Sequence, residues 1–127
     1  MAWFEINQNR FKYEISLLKK RFPNARRGIQ DGRFTIYLKI IGRSQIFIAR
    51  IIYPDNFPYQ PPKAYIINPK LVNLYEPIHR FCDGSLCLAK SEEINLETSG
   101  KDICDWVKDW VIGYEIWLKT GKFPRGR

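Results

Sequence analysis

The sequence predicts an α+β domain, with helices covering one face of an antiparallel sheet. Three observations carry that prediction. An apolar stripe with helical spacing stands near each end of the chain, runs with period-two alternation lie between them, and the links between those runs are short. The length of 127 residues suits one domain over 1–127, because two would each be too small to bury a good core. A hydrophobic content of 45%, with 15% aromatic, predicts a rich core and disfavours disorder.

The first element is predicted as a helix over residues 4–22. Phe11, Ile15, Leu18 and Phe22 fall at helical spacing, and charged residues fill the other face. "PNARRG" then breaks it, with Pro23 and Gly28 as the stops. "RFTIYLKI" alternates, with Phe34, Ile36, Leu38 and Ile40 on one face and Thr35, Tyr37 and Lys39 on the other. After the "GR" turn at 42–43 comes "SQIFIARIIY". It puts Phe47, Ala49, Ile51 and Tyr53 on one side and Ile46, Ile48 and Ile52 on the other. "KAYII" is a third strand, and the short links favour a meander. The last helix is predicted over 101–120. Ile103, Val107, Trp110, Val111, Tyr114, Trp117 and Leu118 trace a wide apolar stripe that reads as packing against the sheet, and Gly121 and Pro124 end it.

Between the second and third of these strands lies "YPDNFPYQPP", residues 53–62. Pro54, Pro58, Pro61 and Pro62 fix four φ angles and remove four backbone donors, so the segment is a stiff strap rather than a strand. Pro58 and Pro61 also spell PxxP, a ligand pattern for proline-recognising domains. Both ends are tied to strands, and Phe57 and Tyr59 read as local packing residues, which disfavours that use.

The net charge is +8. Lys19, Lys20, Arg21, Arg26 and Arg27 form one basic cluster, and Lys119, Lys122, Arg125 and Arg127 form another. Such a surface attracts acidic partners or simply keeps the chain soluble. No RNA-binding aromatic signature or helix-turn-helix spacing accompanies it, so nucleic acid is not an expected partner. No apolar run approaches the ~18 residues a membrane span needs, and the N-terminus lacks a signal-peptide pattern. Three cysteines, an odd number, fit reduced thiols in the cytoplasm better than a secreted disulfide scaffold.

The stretch "HRFCDGSLCL", residues 79–88, holds the chain's only histidine and two of its cysteines. His79, Cys82, Cys87 and Cys104 have the donor types of a zinc site. The spacing disfavours it, since there is one loose pair instead of two close ones, and Cys104 falls on the apolar side of a predicted helix. No metal or other cofactor is therefore expected. "DGSLCL" instead places Cys87 after an Asp-Gly turn and between two leucines. The turn lifts the backbone while Leu86 and Leu88 anchor it, as a presented thiol requires. Attack by that thiol on a thioester builds an oxyanion, and His79 carries an imidazole N–H donor eight residues upstream. A lone histidine is more often structural, so the residues alone leave that role open.

This order of elements resembles the ubiquitin-conjugating enzyme family. Residues 53–62 match the family's Tyr/Phe-Pro-x-x-Tyr/Phe-Pro-x-x-Pro-Pro strap, and Gly84, Leu86, Cys87 and Leu88 match its Gly-x-Ile/Leu-Cys-Leu. The resemblance implies a UBC-like fold. It also implies that Cys87 carries the C-terminus of a ubiquitin-like protein as a thioester and passes it to an amine. The family usually has His-Pro-Asn with the asparagine eight residues before the cysteine. Here "PIH" stands at 77–79, so the resemblance gives His79 the asparagine's place, steadying the oxyanion or the loop. One helix beyond the cysteine, the His-x-Phe form and "GYEIWLKTGKFP" are similar to the bacterial branch, often encoded beside cGAS-like nucleotidyltransferases in anti-phage (CBASS) operons. For that branch the conjugated protein can be the nucleotidyltransferase itself, through its C-terminus.

The family uses acidic residues near the cysteine to take the acceptor's proton. Asp83, Glu92, Glu93, Asp102 and Asp105 are available, with Asp102 also suited to the first turn of the last helix. No phosphate-binding Gly-rich loop is present, so activation would come from a separate enzyme. Two rivals stand beside the transferase. One is a non-catalytic binding module on the same fold. The other is a hydrolase with a Cys87–His79 dyad, for which no third orienting residue is evident.

Overall fold

The computed structural model describes residues 2–71, 80, 81, 83–89 and 91–124. Where one N-terminal helix is expected there are two, α1 (Trp3–Ile6) and α2 (Gln8–Arg21). The break falls at Asn7. Its side chain accepts from the Arg10 N–H at 3.1 Å and starts a new helix instead of continuing the first. The pattern across Trp3, Phe4 and Phe11 looks continuous because both helices face one aromatic cluster. Trp3 stacks on Tyr53 with ring centroids 5.1 Å apart and meets Phe57 edge-on at 4.7 Å.

The sheet has four strands where three are expected. β1 (Arg26–Gln30) pairs antiparallel with β2 (Arg33–Ile41), which pairs with β3 (Ile46–Ile52), which pairs with β4 (Lys63–Asn68). The "ARRG" segment is therefore an edge strand that runs through Gly28 and does not stop there. It alternates little because neither face is deeply buried, and charged residues suit an exposed edge.

The predicted faces of β2 and β3 hold. Ile36 stands opposite Ile51, Leu38 opposite Ala49 and Ile40 opposite Phe47, all buried beneath α3 (Gly100–Thr120). Thr35, on the other face, is buried too, and its hydroxyl donates to the Arg33 carbonyl at 3.0 Å.

α3 starts one residue earlier than expected. The Ser99 side chain accepts from the Asp102 N–H at 3.1 Å, and the Asp102 carboxylate accepts from the Ser99 N–H at 3.0 Å. This reciprocal cap stops the helix unravelling toward the cysteine loop. Ile103, Val107, Trp110, Val111 and Tyr114 are buried as expected, whereas Trp117 is half-buried and Leu118 is exposed. No described helix is long and apolar enough to cross a membrane.

Candidate functional site

The strap leaves β3 at Tyr53 and enters β4 at Lys63. Tyr53 and Phe57 point inward and are buried, pinning its first half to the aromatic cluster. Tyr59 does not pack: it is 77% exposed, correcting the expectation of local packing there. The ring stands in the rigid segment between Pro58 and Pro61, which holds it away from the core.

Beneath the strap, Glu14 is a fully buried carboxylate. Its Oε1 accepts from the Tyr53 hydroxyl at 2.6 Å and from the Gly100 N–H at 2.7 Å, and its Oε2 accepts from Arg10 Nε at 3.3 Å. Arg10 also donates to the carbonyls of Leu96 at 2.9 Å and Thr98 at 3.2 Å. One ion pair thus joins α2, the strap, the segment after the cysteine and the N-terminus of α3. Gly100 is required by close approach, because a Cβ there would collide with the Tyr53 ring and hydroxyl. Burial, reinforced by the Glu14 carboxylate, raises the Tyr53 hydroxyl pKa well above its ordinary value, so it stays a donor. The sequence holds a signal for this node: Glu14 interrupts the apolar stripe between Phe11 and Leu18, four residues after Arg10.

The cysteine loop lies along the free edge of β4. The Leu86 N–H donates to the Ala64 carbonyl at 2.8 Å, and residues 80 and 86 bridge antiparallel. Leu86 and Ser85 are buried, while Cys87 is half-buried with a free thiol. The Asp-Gly turn is present as expected, with Gly84 at φ 89°, in the left-handed region that glycine occupies without strain. Asp83 accepts from Ser85 and from Lys63. The Ser85 hydroxyl first, then Lys63, holds its carboxyl well below the usual carboxylate range.

A groove of about 700 Å³ runs beside the loop. Pro54, Pro61 and Pro62 of the strap form one wall, and Leu86 and Leu88, on either side of Cys87, form another; Ile94, Ile103 and Trp106 also line it. Arg33 and Lys63 also line it, each ion-paired, to Asp55 and Asp83 respectively.

His79 and Cys82 lie outside the described residues. Cys104 is 0% exposed in the core beneath the sheet, and burial pushes its thiol up to about 12. Packing accounts for it fully. Among the described residues, no three metal-ligating side chains gather.

Of the candidate carboxylates, Asp83 is paired as above, Asp102 in the cap and with Lys101 at 3.0 Å, and Asp105 with Arg21 at 3.1 Å. Glu92 and Glu93 stand exposed on the short 3₁₀ turn Ser91–Glu93 that follows the cysteine loop. Of the basic residues, Lys19, Lys20 and Arg27 gather with Lys12 around Phe11 and Ile15 on the outer side of α2, and Arg125 and Arg127 lie outside the described residues.

Against known proteins, a family model described as "Type II CBASS E2 protein" matches residues 14–127. No curated protein matches the chain. Among solved structures, a ubiquitin-conjugating enzyme E2 from Plasmodium falciparum is similar, at 18% identity and a TM-score of 0.58, over 83% of each chain. At that identity the likeness is one of fold, and it places the helices, meander and C-terminal helix in the UBC architecture.

Proposed function

The chain belongs to the type II CBASS E2 family, a UBC-fold family of that defence system, and from that premise we propose that Cys87 is a thioester-forming cysteine. Its sulfur attacks the activated C-terminal carboxyl of a protein. A C–S bond forms and the activating group leaves with the electron pair of the bond that breaks. An amine then attacks the same carbon, the C–N bond replaces the C–S bond, the thiolate is regenerated and the amine's proton passes to a base. The carried protein is a ubiquitin-like protein or a cGAS-like nucleotidyltransferase, delivered by a separate activating enzyme.

The observation that carries this reading is the contrast between the two described cysteines. Cys104 is sealed in the core with a thiol held neutral, whereas Cys87 is half-buried between two leucines that line a groove. Only the second is placed to hold an acyl group and keep it within reach of an acceptor. The stiff strap and the buried Glu14 node hold the groove's walls in place before the donor arrives, so little ordering is left to binding.

His79 takes the family asparagine's role as donor to the oxyanion. Removing such a donor costs ~10²–10³-fold in rate. We assign receipt of the acceptor's proton to Glu92, exposed on the turn after the cysteine loop, because Asp83, Asp102 and Asp105 are occupied in structural pairs.

Incubation with a donor supplied as an activated thioester tests the reading. Wild type forms an adduct that a reducing agent cleaves, and His79→Ala forms it more slowly. A chain that binds the donor tightly but never forms the adduct is instead the non-catalytic binding module.

A further inference from the structure

The turn that precedes Cys87 is bonded more densely than a surface loop needs for stability. Both oxygens of the Asp83 carboxylate are used. Oδ1 accepts from the Ser85 N–H at 2.9 Å and from the Ser85 hydroxyl at 2.6 Å, while Oδ2 accepts from Lys63 Nζ at 2.9 Å. The backbone closes around it, with the Phe81 N–H donating to the Ser85 carbonyl at 2.8 Å and the Gly84 N–H to the Phe81 carbonyl at 2.9 Å. Leu86 then fixes the far end to β4. Lys63 is the first residue of β4, directly after Pro61 and Pro62, so the Asp83 pair ties the turn to the rigid end of the strap.

We infer that Asp83 is a positioning residue for thioester formation: its carboxylate fixes the Asp-Gly-Ser turn to Lys63 and so sets where the Cys87 sulfur stands at the groove. This rests on the reading of Cys87 given above. Asp83 does not touch the reacting atoms; it acts through the backbone of 83–87. Two features separate this role from ordinary surface chemistry. The Lys63 pair is exposed and contributes little to global stability, and the two Ser85 bonds add a modest share, so the role is read in the loading rate of chains that melting shows to be folded. A reactive group displaced by ~1 Å loses ~10²-fold in rate, so a loosened turn has a large kinetic effect. The carboxyl is held well below the usual range, which keeps the brace ionised throughout the neutral and mildly acidic range.

The experiment uses the full chain as wild type, Asp83→Ala and Asp83→Asn. The probe is a cGAS-like nucleotidyltransferase prepared as its C-terminal mercaptoethanesulfonate thioester. Single-turnover loading is followed against donor concentration, and alkylation of Cys87 by iodoacetamide is measured in parallel. Asp83→Ala should load ~10- to 100-fold more slowly at saturation, with the half-saturating donor concentration unchanged within about twofold. Alkylation by the small reagent should stay within about twofold of wild type, because that reagent needs no defined loop position. Asp83→Asn keeps an oxygen for Ser85 and should recover a large part of the rate.

Wild-type loading with equally fast loading by Asp83→Ala overturns this proposal alone. So does a parallel loss of alkylation, which assigns the effect to the thiol's reactivity, or an Asp83→Asn variant no faster than Asp83→Ala. A wild-type chain that forms no adduct overturns both this proposal and the reading beneath it.

Discussion

Replacing Glu14 with alanine is expected to be among the most damaging single changes in the chain. The carboxylate is fully buried and serves Tyr53, Gly100 and Arg10 at once. Its removal strands the Tyr53 hydroxyl and the Gly100 N–H, each costing ~1–3 kcal/mol as a buried unsatisfied donor. The lost Cγ methylene adds roughly 0.8 kcal/mol. Arg10 keeps its bonds to Leu96 and Thr98, which limits the loss on that side. The total is about 3–7 kcal/mol, against a typical stability of ~5–15 kcal/mol. At roughly 2.1 cal/mol/K of unfolding entropy per residue, this lowers Tm by about 11–26 °C.

Glu14→Gln keeps Oε1 for Tyr53 and Gly100 but turns an amide N–H toward Arg10. Losing that charge-assisted bond costs ~1.5–3 kcal/mol, or about 6–11 °C. Urea unfolding gives the free energies directly, with the slope against denaturant expected to stay constant. A Glu14→Ala chain within about 1 kcal/mol of wild type refutes the reasoning, since the node would then hold nothing together.

Three other expectations follow from the same coordinates. Gly100→Ala forces a Cβ into the Tyr53 ring and hydroxyl, so it should destabilise the chain by ~3 kcal/mol or more in the same urea assay, well beyond the cost of overpacking a yielding site. Cys104 has a folded thiol pKa of about 12 against an unfolded value near 9, so the unfolded state ionises first and stability falls above about pH 9. The loss is ~1.4 kcal/mol by pH 10, and it should vanish from the pH profile of Cys104→Ala. Asp102 is held below its ordinary pKa: burial opposes this, but the Ser99 N–H and Lys101 outweigh it. Its contribution is present above about pH 4 and is lost as pH falls through the folded value, so Asp102→Ala should lower the unfolding free energy at pH 7 by a cap's worth, ~1 kcal/mol, and by less at pH 3.

The fold was legible where burial is one-sided. Alternation through β2 and β3 and the stripe from Ile103 to Tyr114 each face a single core, so periodicity reports them faithfully. β1 was not legible, because neither face of this edge strand is deeply buried: Gly28 and Gln30 are half-buried and its one apolar residue, Ile29, is exposed. The break at Asn7 was hidden by aromatic residues that serve one cluster from two helices. Around the site, the Asp-Gly turn and the placement of Cys87 between anchoring leucines followed from local chemistry. The long-range partners of Asp83 and Glu14 did not, because Lys63 is twenty residues away in sequence and Gly100 eighty-six, and only the packed fold brings them together.

Mass spectrometry of the chain loaded from a thioester donor is the most direct trial of the acyl-carrier assignment. The wild-type adduct should sit on Cys87 and disappear with reducing agent, Cys87→Ser should hold a reducing-agent-resistant ester at the same position, and Cys87→Ala should remain bare. A donor still attached to the alanine variant, by a bond that reducing agent cleaves, would place the chemistry on another thiol and contradict the account.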